Sequence, residues 1–394
     1  MLIRDIRPGV QWIGAIDWDR RLFDALIPLP KGTSYNSYLV RGSEKTALID
    51  AVDATKADVL LGNLRSLGIE KIDYIICQHA EQDHSGTVEH LVAQFPGARL
   101  LATGKCLELL REFGLISREK GQEVKDGDSI DLGGKTLQFI HAPWVHWPDT
   151  MLTYLPEDRI LFTCDFLGSH LATSDLYAHD EATVYGSAKR YYAEIMMPFR
   201  QHIQKHLAKI KGLQIEIIAP SHGPLYDRPE FILSAYHDWS SDAVKNEVVL
   251  PYVSMHGATR IMTDYFVDAL VSRGIAVKRF DLTNYDVGEL AEALVDAATV
   301  VIGTPTILSG AHPHALYAAT LANALRPKTR FASIIGSFGW GGKMLEQITV
   351  ALPGLKLQFF DPVVAKGHPK EADFQALDRL ADEILAKHRE LKIA

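Results

Sequence analysis

The sequence predicts a two-domain protein of mixed α/β class, in which a β-rich α+β domain precedes a doubly wound parallel sheet. Two patterns predict this class. Short strand-like segments punctuated by Gly, Pro and Asp fill residues 1–245, whereas strands and helices alternate regularly over residues 246–394. The length of 394 residues and the 47% hydrophobic content are sufficient for two buried cores.

The first domain combines many short strands with few helices. Its longest helical pattern covers Ala188–Lys211, where apolar residues such as Ile203 and Leu207 recur on one face. A polar linker is predicted at Trp239–Asn246. The predicted strands are Gln11–Ile16, Ser37–Val40, Thr46–Ile49, Tyr74–Cys77, Leu100–Ala102, Leu137–Ile140, Met151–Tyr154, Ile160–Phe162 and Ile215–Ile218.

The second domain has a regular strand–helix rhythm, which is typical of a single doubly wound sheet. The predicted strands are Glu247–Val253, Ala276–Phe280, Thr299–Ile302, Arg330–Ile335 and Lys356–Phe360. The predicted helices are Thr259–Arg273, Val287–Ala297, Ala311–Leu325, Lys343–Ala351 and Ala372–Leu391.

Composition excludes several functional classes. With 41 basic and 49 acidic residues the net charge is −8, which argues against a nucleic-acid or anionic-membrane partner. No apolar run approaches the ~18–20 residues of a transmembrane helix, and charges at Arg4, Asp5 and Arg7 argue against a signal peptide. The three cysteines form no CxxC pair, which excludes a disulfide scaffold, a rubredoxin-type iron site and a zinc ribbon. We therefore expect a cytoplasmic protein.

A dense cluster of metal-capable side chains follows the predicted strand Tyr74–Cys77. One His near one Asp would indicate only a polar loop. Four such groups within six residues at a strand end predict a metal site, because imidazoles and carboxylates packed this closely are the ligand types that metals need. The four residues are His79, Glu81, Asp83 and His84.

Three further candidate ligands, His146, Asp165 and His222, also follow predicted strands. Each of them alone would more often be structural, as a hydrogen-bonded His or an Asp that caps a turn. The repeated layout of a strand followed by a ligand-type residue favours one shared site.

Three loops of the second domain form a candidate nucleotide site. Small and hydroxyl residues before the helix at Thr259 suit a phosphate, and Trp340 between glycines suits a flavin ring. No GxGxxG occurs, which favours the mononucleotide FMN. His256 either contacts the phosphate or faces solvent. The candidate residues are Ser254, Met255, His256, Gly257, Ala258, Thr259, Thr304, Pro305, Thr306, Ser337, Phe338, Gly339, Trp340 and Gly341.

The order HxExDH, His, Asp, His resembles the metallo-β-lactamase fold, whose hydrolases usually carry a His where this chain has Glu81. With that glutamate, the HWPDT segment at residues 146–150 and the flavodoxin-like second half, nearly the whole chain resembles the flavodiiron proteins. The resemblance implies a metallo-β-lactamase-like αββα sandwich at residues 1–245 and a flavodoxin-like FMN domain at residues 246–394.

The resemblance also implies the ligands of two irons. One iron takes His79, Glu81 and His146, the other takes Asp83, His84 and His222, and Asp165 bridges them. An N/O set without thiolate suits Fe(II) and O2-type chemistry. In some relatives water replaces the counterpart of His84, so ligation by His84 at rest stays open.

Outside this set, Tyr191 and Tyr192 match a tyrosine pair of the family. We expect Tyr192 to hydrogen-bond bound O2 or NO, with simple core packing as the alternative. His170 and Asp149 either orient ligands or satisfy buried backbone groups. Cys164 is expected to be a small buried side chain.

The implied function is an oxidoreductase in which FMN passes electrons to the diiron site, which reduces O2 to water or NO to N2O. The sequence does not choose between the two substrates. No rubredoxin-like CxxC pair precedes Ala394, so an external donor is expected, rubredoxin or a reduced deazaflavin coenzyme. A head-to-tail homodimer or a dimer of dimers is expected. The alternatives are a dinuclear zinc hydrolase and a flavodoxin-like electron carrier whose metal domain is inactive.

Overall fold

The computed structural model describes residues 2–394, which divide into two compact units. One unit comprises the residues up to Tyr192 together with Phe199–Ser240, and the other comprises Ala193–Pro198 together with Ser241–Ala394. Within the described residues, no helix combines the length and the apolar character needed to cross a membrane.

The first unit contains two main sheets. Its strands are β1 (Arg4–Arg7), β2 (Val10–Trp12), β3 (Ala15–Asp17), β4 (Leu22–Phe23), β5 (Ile27–Pro28), β6 (Thr33–Tyr35), β7 (Tyr38–Arg41), β8 (Thr46–Ile49), β9 (Tyr74–Ile76), β10 (Arg99–Ala102), β11 (Gln122–Glu123), β12 (Ser129–Asp131), β13 (Thr136–His141), β14 (Met151–Leu155), β15 (Ile160–Cys164) and β16 (Ile217–Pro220). One sheet has the order β1-β2-β7-β8-β9-β10-β11 and the other runs β12-β13-β14-β15-β16.

The helices of this unit are α1 (Ala57–Ser66), α2 (Gln82–Ser85), α3 (Val88–Gln94), α4 (Gly104–Glu112), α5 (Glu181–Tyr191), α6 (Arg200–Ile210) and α7 (Pro229–Ser240). The helical pattern predicted over Ala188–Lys211 is confirmed, but not as one α-helix. After α5 ends at Tyr191, a π-helical turn covers Tyr192–Met196 and a 3-10 turn covers Met197–Phe199 before α6 begins at Arg200. Pro198 lies in the interrupted stretch, where it removes a backbone donor and restricts the residue before it.

Alternation along the strands builds two cores. In β7, Tyr38 and Val40 join a cluster with Phe139 and Phe162 of the second sheet, so the two sheets pack face to face. Leu39 points the other way, into a second cluster formed with residues of α1, α3 and α4. The first unit is therefore the αββα sandwich expected from the sequence.

The second unit is built around one mainly parallel sheet, with helices on both of its faces. Its strands are β17 (Lys245–Tyr252), β18 (Ala276–Asp281), β19 (Ala297–Ile307), β20 (Gly310–Ala311), β21 (Phe331–Phe338), β22 (Gln358–Phe359) and β23 (Val363–Lys366). Its helices are α8 (Ala258–Val271), α9 (Val287–Leu294), α10 (Pro313–Leu325), α11 (Met344–Val350) and α12 (Glu371–Glu390).

The strand order is β18-β17-β19-β21, with β22 and β23 both beside β21, and these pairs are parallel. This order confirms the flavodoxin-like sheet, in which ligands bind beyond the carboxyl ends of the strands. The linker predicted at Trp239–Asn246 is too long, because α7 extends to Ser240 and β17 begins at Lys245.

Candidate metal centre and cofactor pocket

All seven predicted metal ligands lie near strand ends of the first unit, five of them on loops and the other two, Asp83 and His84, in the short helix α2. The His79–His84 segment follows β9, Asp165 follows β15, and His222 follows the neighbouring parallel strand β16. His146 lies between β13 and β14. Ligand atoms within 4.8 Å of one another form two principal groups, His79, Glu81, His146 and Asp165 in one and Asp83, His84 and His222 in the other.

The first group is organised around Glu81. Its Oε2 lies 3.1 Å from Nε2 of His79 and 3.0 Å from Nε2 of His146. Oδ2 of Asp165 lies 3.6 Å from each of these nitrogens. Two imidazoles and two carboxylates therefore present four ligand-type atoms to one small buried space.

The second group contacts the opposite oxygen of Asp165. Its Oδ1 lies 3.0 Å from Nε2 of His84 and 3.3 Å from Nε2 of His222, which is itself 2.9 Å from Oδ2 of Asp83. One oxygen of Asp165 thus faces each group, which is the arrangement that a bridging carboxylate requires.

Several of these buried atoms are short of hydrogen bonds. Although these atoms approach one another closely, the contacts do not have hydrogen-bond geometry: among the residues that the structure describes, both carboxylate oxygens of Asp83, Nε2 of His84 and Oδ2 of Asp165 have no hydrogen-bond partner. Buried polar atoms are rarely left in this condition, because the cost of desolvation is not recovered. Metal ions would accept the unpaired lone pairs, so the residues present fit a dinuclear centre.

Outer hydrogen bonds orient two of the imidazoles. Nδ1 of His79 lies 3.1 Å from both oxygens of Asp149, which also accepts from the Ala80 backbone N–H at 2.8 Å. Nδ1 of His222 donates to the Ser34 carbonyl at 2.7 Å. A proton on each Nδ1 leaves the lone pair of Nε2 directed at the site, as metal ligation requires.

The electrostatics favour ionised carboxylates beside these imidazoles. Burial raises the pKa of Glu81, but hydrogen bonds with His146 and His79 lower it more, so the net pKa lies below its ordinary value.

His170 lies beside the predicted ligands. Burial and the neighbouring His222 lower the pKa of His170, whose Nδ1 lies 2.9 Å from the Thr33 hydroxyl. His170 is therefore neutral, and its ring packs against that of His222 at 4.8 Å.

The structure places the hydroxyl of Tyr191, and not that of Tyr192, against a predicted metal ligand. The buried hydroxyl of Tyr192 donates to the Trp239 carbonyl at 3.1 Å, whereas the hydroxyl of Tyr191 donates to Oδ1 of Asp165 at 2.8 Å. Burial and the Asp165 charge raise the pKa of Tyr191, which keeps the donor protonated. The helical spacing of Val184, Ser187 and Tyr191 places all three on the buried face of α5, and this pattern could have identified Tyr191 from the sequence.

Sequence reasoning missed Asp50, a fully buried carboxylate just after β8. It accepts from both the backbone N–H and the side-chain amide of Gln78, each at 2.8 Å, and from the Ser221 hydroxyl at 3.1 Å. Since Gln78 precedes His79 and Ser221 precedes His222, one carboxylate holds two ligand loops. Cys164 is buried as expected, and burial raises the pKa of its thiol.

The second unit contains a pocket of about 280 Å³ at the carboxyl ends of its strands, and eleven of the fourteen predicted cofactor-binding residues line it. Thr304 does not, because it is buried within β19, with its hydroxyl accepting from the His312 N–H at 3.1 Å. Gly257 and Gly341 lie in the lining loops without lining the pocket themselves. Two lining residues were missed, Gly367 and His368.

The shape of this pocket fits a flavin nucleotide. Gly257, with φ of +91°, begins the loop-to-helix turn into α8, and its neighbourhood is open for a phosphate. Trp340 is 73% exposed at the pocket, which suits a ring-stacking platform and not a core residue. The Thr259 and Ser337 hydroxyls, 3.2 Å apart, add hydrogen-bonding groups between these features.

Comparison with known proteins agrees with both halves of the chain. The model of the ODP family beta lactamase matches residues 33–223. The coenzyme F420H2 oxidase of Methanothermobacter marburgensis is 34% identical over 96% of this chain and 98% of its own length. The nitric oxide reductase of Moorella thermoacetica is 33% identical over 97% of this chain and 98% of its own length.

A solved structure covers the chain completely. The rubredoxin oxygen:oxidoreductase of Desulfovibrio gigas superimposes with a TM-score of 0.96 at 28% identity, over 100% of both chains. The chain belongs to the flavodiiron protein family. Members of this family are oxidoreductases with FMN and a non-haem diiron centre.

Proposed function

We propose that this chain reduces O2 to water, NO to N2O, or both, with electrons that FMN delivers to a diiron centre. The observation that carries the proposal is the buried group of imidazole and carboxylate atoms around Asp165, in which the ligand atoms approach one another closely and those of Asp83, the Nε2 of His84 and the Oδ2 of Asp165 lack hydrogen-bond partners. A flavin-shaped pocket in the second unit supplies the second half of an electron-transfer enzyme. The family membership supports the same chemistry.

His79, Glu81 and His146 would hold one iron, and Asp83, His84 and His222 the other, with Asp165 between them. When bound, the irons supply the redox chemistry. We assign His84 as a ligand because its buried Nε2 has no hydrogen-bond partner among the described residues.

The remaining residues act on these ligands. Asp149 fixes the ring of His79, since its oxygens lie 3.1 Å from Nδ1. Tyr191 orients Asp165 through its hydroxyl. Trp147 covers the ring of His79 edge-on at a centroid distance of 4.9 Å and limits water access from that side.

Iron analysis tests the ligand assignment. His79→Ala and Asp165→Ala should each lower the iron content below two per chain and abolish reductase activity, while FMN stays bound in the other unit. His90→Ala is the matched control, because His90 is exposed and lies outside the ligand group. Two irons per chain in both ligand variants would refute the assignment.

Two rival functions are not favoured. A dinuclear zinc hydrolase would have no use for the flavin pocket, and Glu81 replaces the histidine usual in those hydrolases. A simple flavodoxin-like carrier would not need the buried ligand group. A flavin spectrum combined with two irons per chain excludes both rivals.

The electron donor is a separate protein or coenzyme in this proposal. Rubredoxin and a reduced deazaflavin are the two donors considered, in line with the names of the Desulfovibrio and Methanothermobacter relatives. Anaerobic stopped-flow measurements with one chemically reduced donor, mixed separately with O2 and with NO, would rank the two substrates.

We further propose a head-to-tail homodimer, alone or paired into a dimer of dimers, in which FMN of one chain serves the diiron centre of the other. Each unit has its own hydrophobic core. A two-fold interface would bring the FMN of each chain next to the diiron centre of the other chain. A cytoplasmic location is supported by the three free cysteines, which are typical of a reducing compartment.

Hybrid dimers test the electron route. A flavin-deficient chain, altered at Ser254, Thr259 and Trp340, is dissociated and reassociated with a His79→Ala chain. Cross-chain transfer predicts partial recovery of activity, because a hybrid keeps one intact pair of FMN and diiron centre. Verified hybrids that remain inactive would refute the cross-chain route.

A further inference from the structure

The flavin pocket has few basic side chains for a site that would bind a phosphate. Neither lysine nor arginine occurs among its described lining residues, and two of these residues, His256 and His368, are histidines. The nearby Arg260 pairs with Asp281 at 3.3 Å and is not among the lining residues. Apart from the Trp340 indole, the two imidazoles are therefore the nitrogen donors among the described lining side chains.

The two histidines reach the pocket from different loops. His256 lies between β17 and α8, and His368 lies between β23 and α12. Helices α8 and α12 contribute to one hydrophobic cluster, for example through Phe266 and Leu377, so the loops that precede them lie on the same side of the sheet.

The second loop is held firmly in this position. The backbone N–H of Gly367 donates to the Phe338 carbonyl at 2.9 Å, which ties it to the loop that carries Trp340. Both histidines are exposed at the pocket and have room to turn toward a ligand.

We propose that His256 and His368 form an imidazole pair that donates hydrogen bonds to the phosphate group of FMN and so selects FMN over riboflavin. The inference rests on the proposed binding of FMN and deepens it. It adds the loop between β23 and α12 to the phosphate site, beside the N-terminus of α8, where backbone N–H groups favour an anion. A hydrogen bond to an ionised acceptor such as phosphate is about twice as strong as one between neutral groups.

Flavin titrations test this pair. The full chain is freed of flavin and titrated with FMN and with riboflavin, and the dissociation constants are read from quenching of flavin fluorescence. His256→Ala and His368→Ala should each weaken FMN binding about tenfold, and the double variant about a hundredfold, since hydrogen bonds to charged groups have this magnitude. Riboflavin, which has no phosphate, should change less than about twofold and so also reports on folding.

His314→Ala is the matched control, because His314 is exposed in the same unit and does not line the pocket. An FMN affinity that is unchanged in the double variant, or a loss of riboflavin binding equal to that of FMN, would overturn the inference. Failure of the unaltered chain to bind FMN is a separate outcome that would refute the proposed function and this inference with it.

Discussion

A single buried histidine should make the flavin-binding unit sensitive to acid. His388, on the C-terminal helix α12, is fully buried, with Nε2 2.8 Å from the Thr299 hydroxyl and Nδ1 2.7 Å from Oδ1 of Asn246. The neutral ring satisfies both contacts when Nδ1–H donates to Asn246 and Nε2 accepts from Thr299. Protonation would remove that acceptor and place a charge in the core.

The expected loss of folding stability follows from the difference in the pKa of His388 between the folded and the unfolded chain. Burial lowers the pKa of His388 from its ordinary value of 6.5 to about 4 in the folded state. Because the unfolded chain binds the proton more readily, stability falls as the pH decreases through the interval between these values. The loss is about 2 kcal/mol between pH 7 and pH 5, and approaches about 3 kcal/mol near pH 4.

Denaturant unfolding measures this loss when the variant His388→Gln is compared with the unaltered chain at each pH. Other titrating groups contribute to both proteins, so their effects cancel in the difference. The variant should be less stable at pH 7, yet should lose about 2 kcal/mol less than the unaltered chain on going to pH 5. Equal pH dependence in the two proteins would refute the reasoning.

Three further predictions concern the two sites. Trp340→Ala should weaken FMN binding by about 1 kcal/mol, or about fivefold, through the loss of a stacking surface; unchanged affinity and flavin spectrum in a titration would contradict this. Tyr191→Phe should lower the turnover rate more than Tyr192→Phe, since of the two tyrosines only Tyr191 donates to Asp165, the predicted bridging ligand; equal or reversed effects in steady-state kinetics of both variants would contradict this. Asp149→Asn should lower iron affinity about 10–100-fold by disturbing His79, measured by competition with a chelator, and an unchanged affinity would contradict that role.

The positions brought together at the metal centre were accessible from sequence because their signals are local. His79, Glu81, Asp83 and His84 are close neighbours in sequence, and the other candidates each follow a strand of recognisable apolar pattern. Parallel strands then bring such loops to one edge, so the gathering of these side chains follows from fold class alone.

Residues that act through distant partners were not accessible in this way. Asp50 accepts a hydrogen bond from Ser221, which lies 171 positions further along the chain, and His368 and His256 line one pocket only because the sheet brings their loops together. The contact of Tyr191 with Asp165 was not anticipated for a different reason. The α-helix gives way to a π-helical turn at Tyr192, and only the buried face of α5 indicates which ring faces the predicted metal ligands.

The carboxylate of Asp50 has a mechanical consequence. By bonding to the residues just before His79 and His222, it cross-links two loops that approach the centre from different sheets. A shift of either loop would disturb the hydrogen bonds of this fully buried carboxyl group, so displacement of one loop is transmitted to the other. The two ligand loops should therefore rearrange together, so that both metals are lost over the same narrow range of denaturant or chelator concentration.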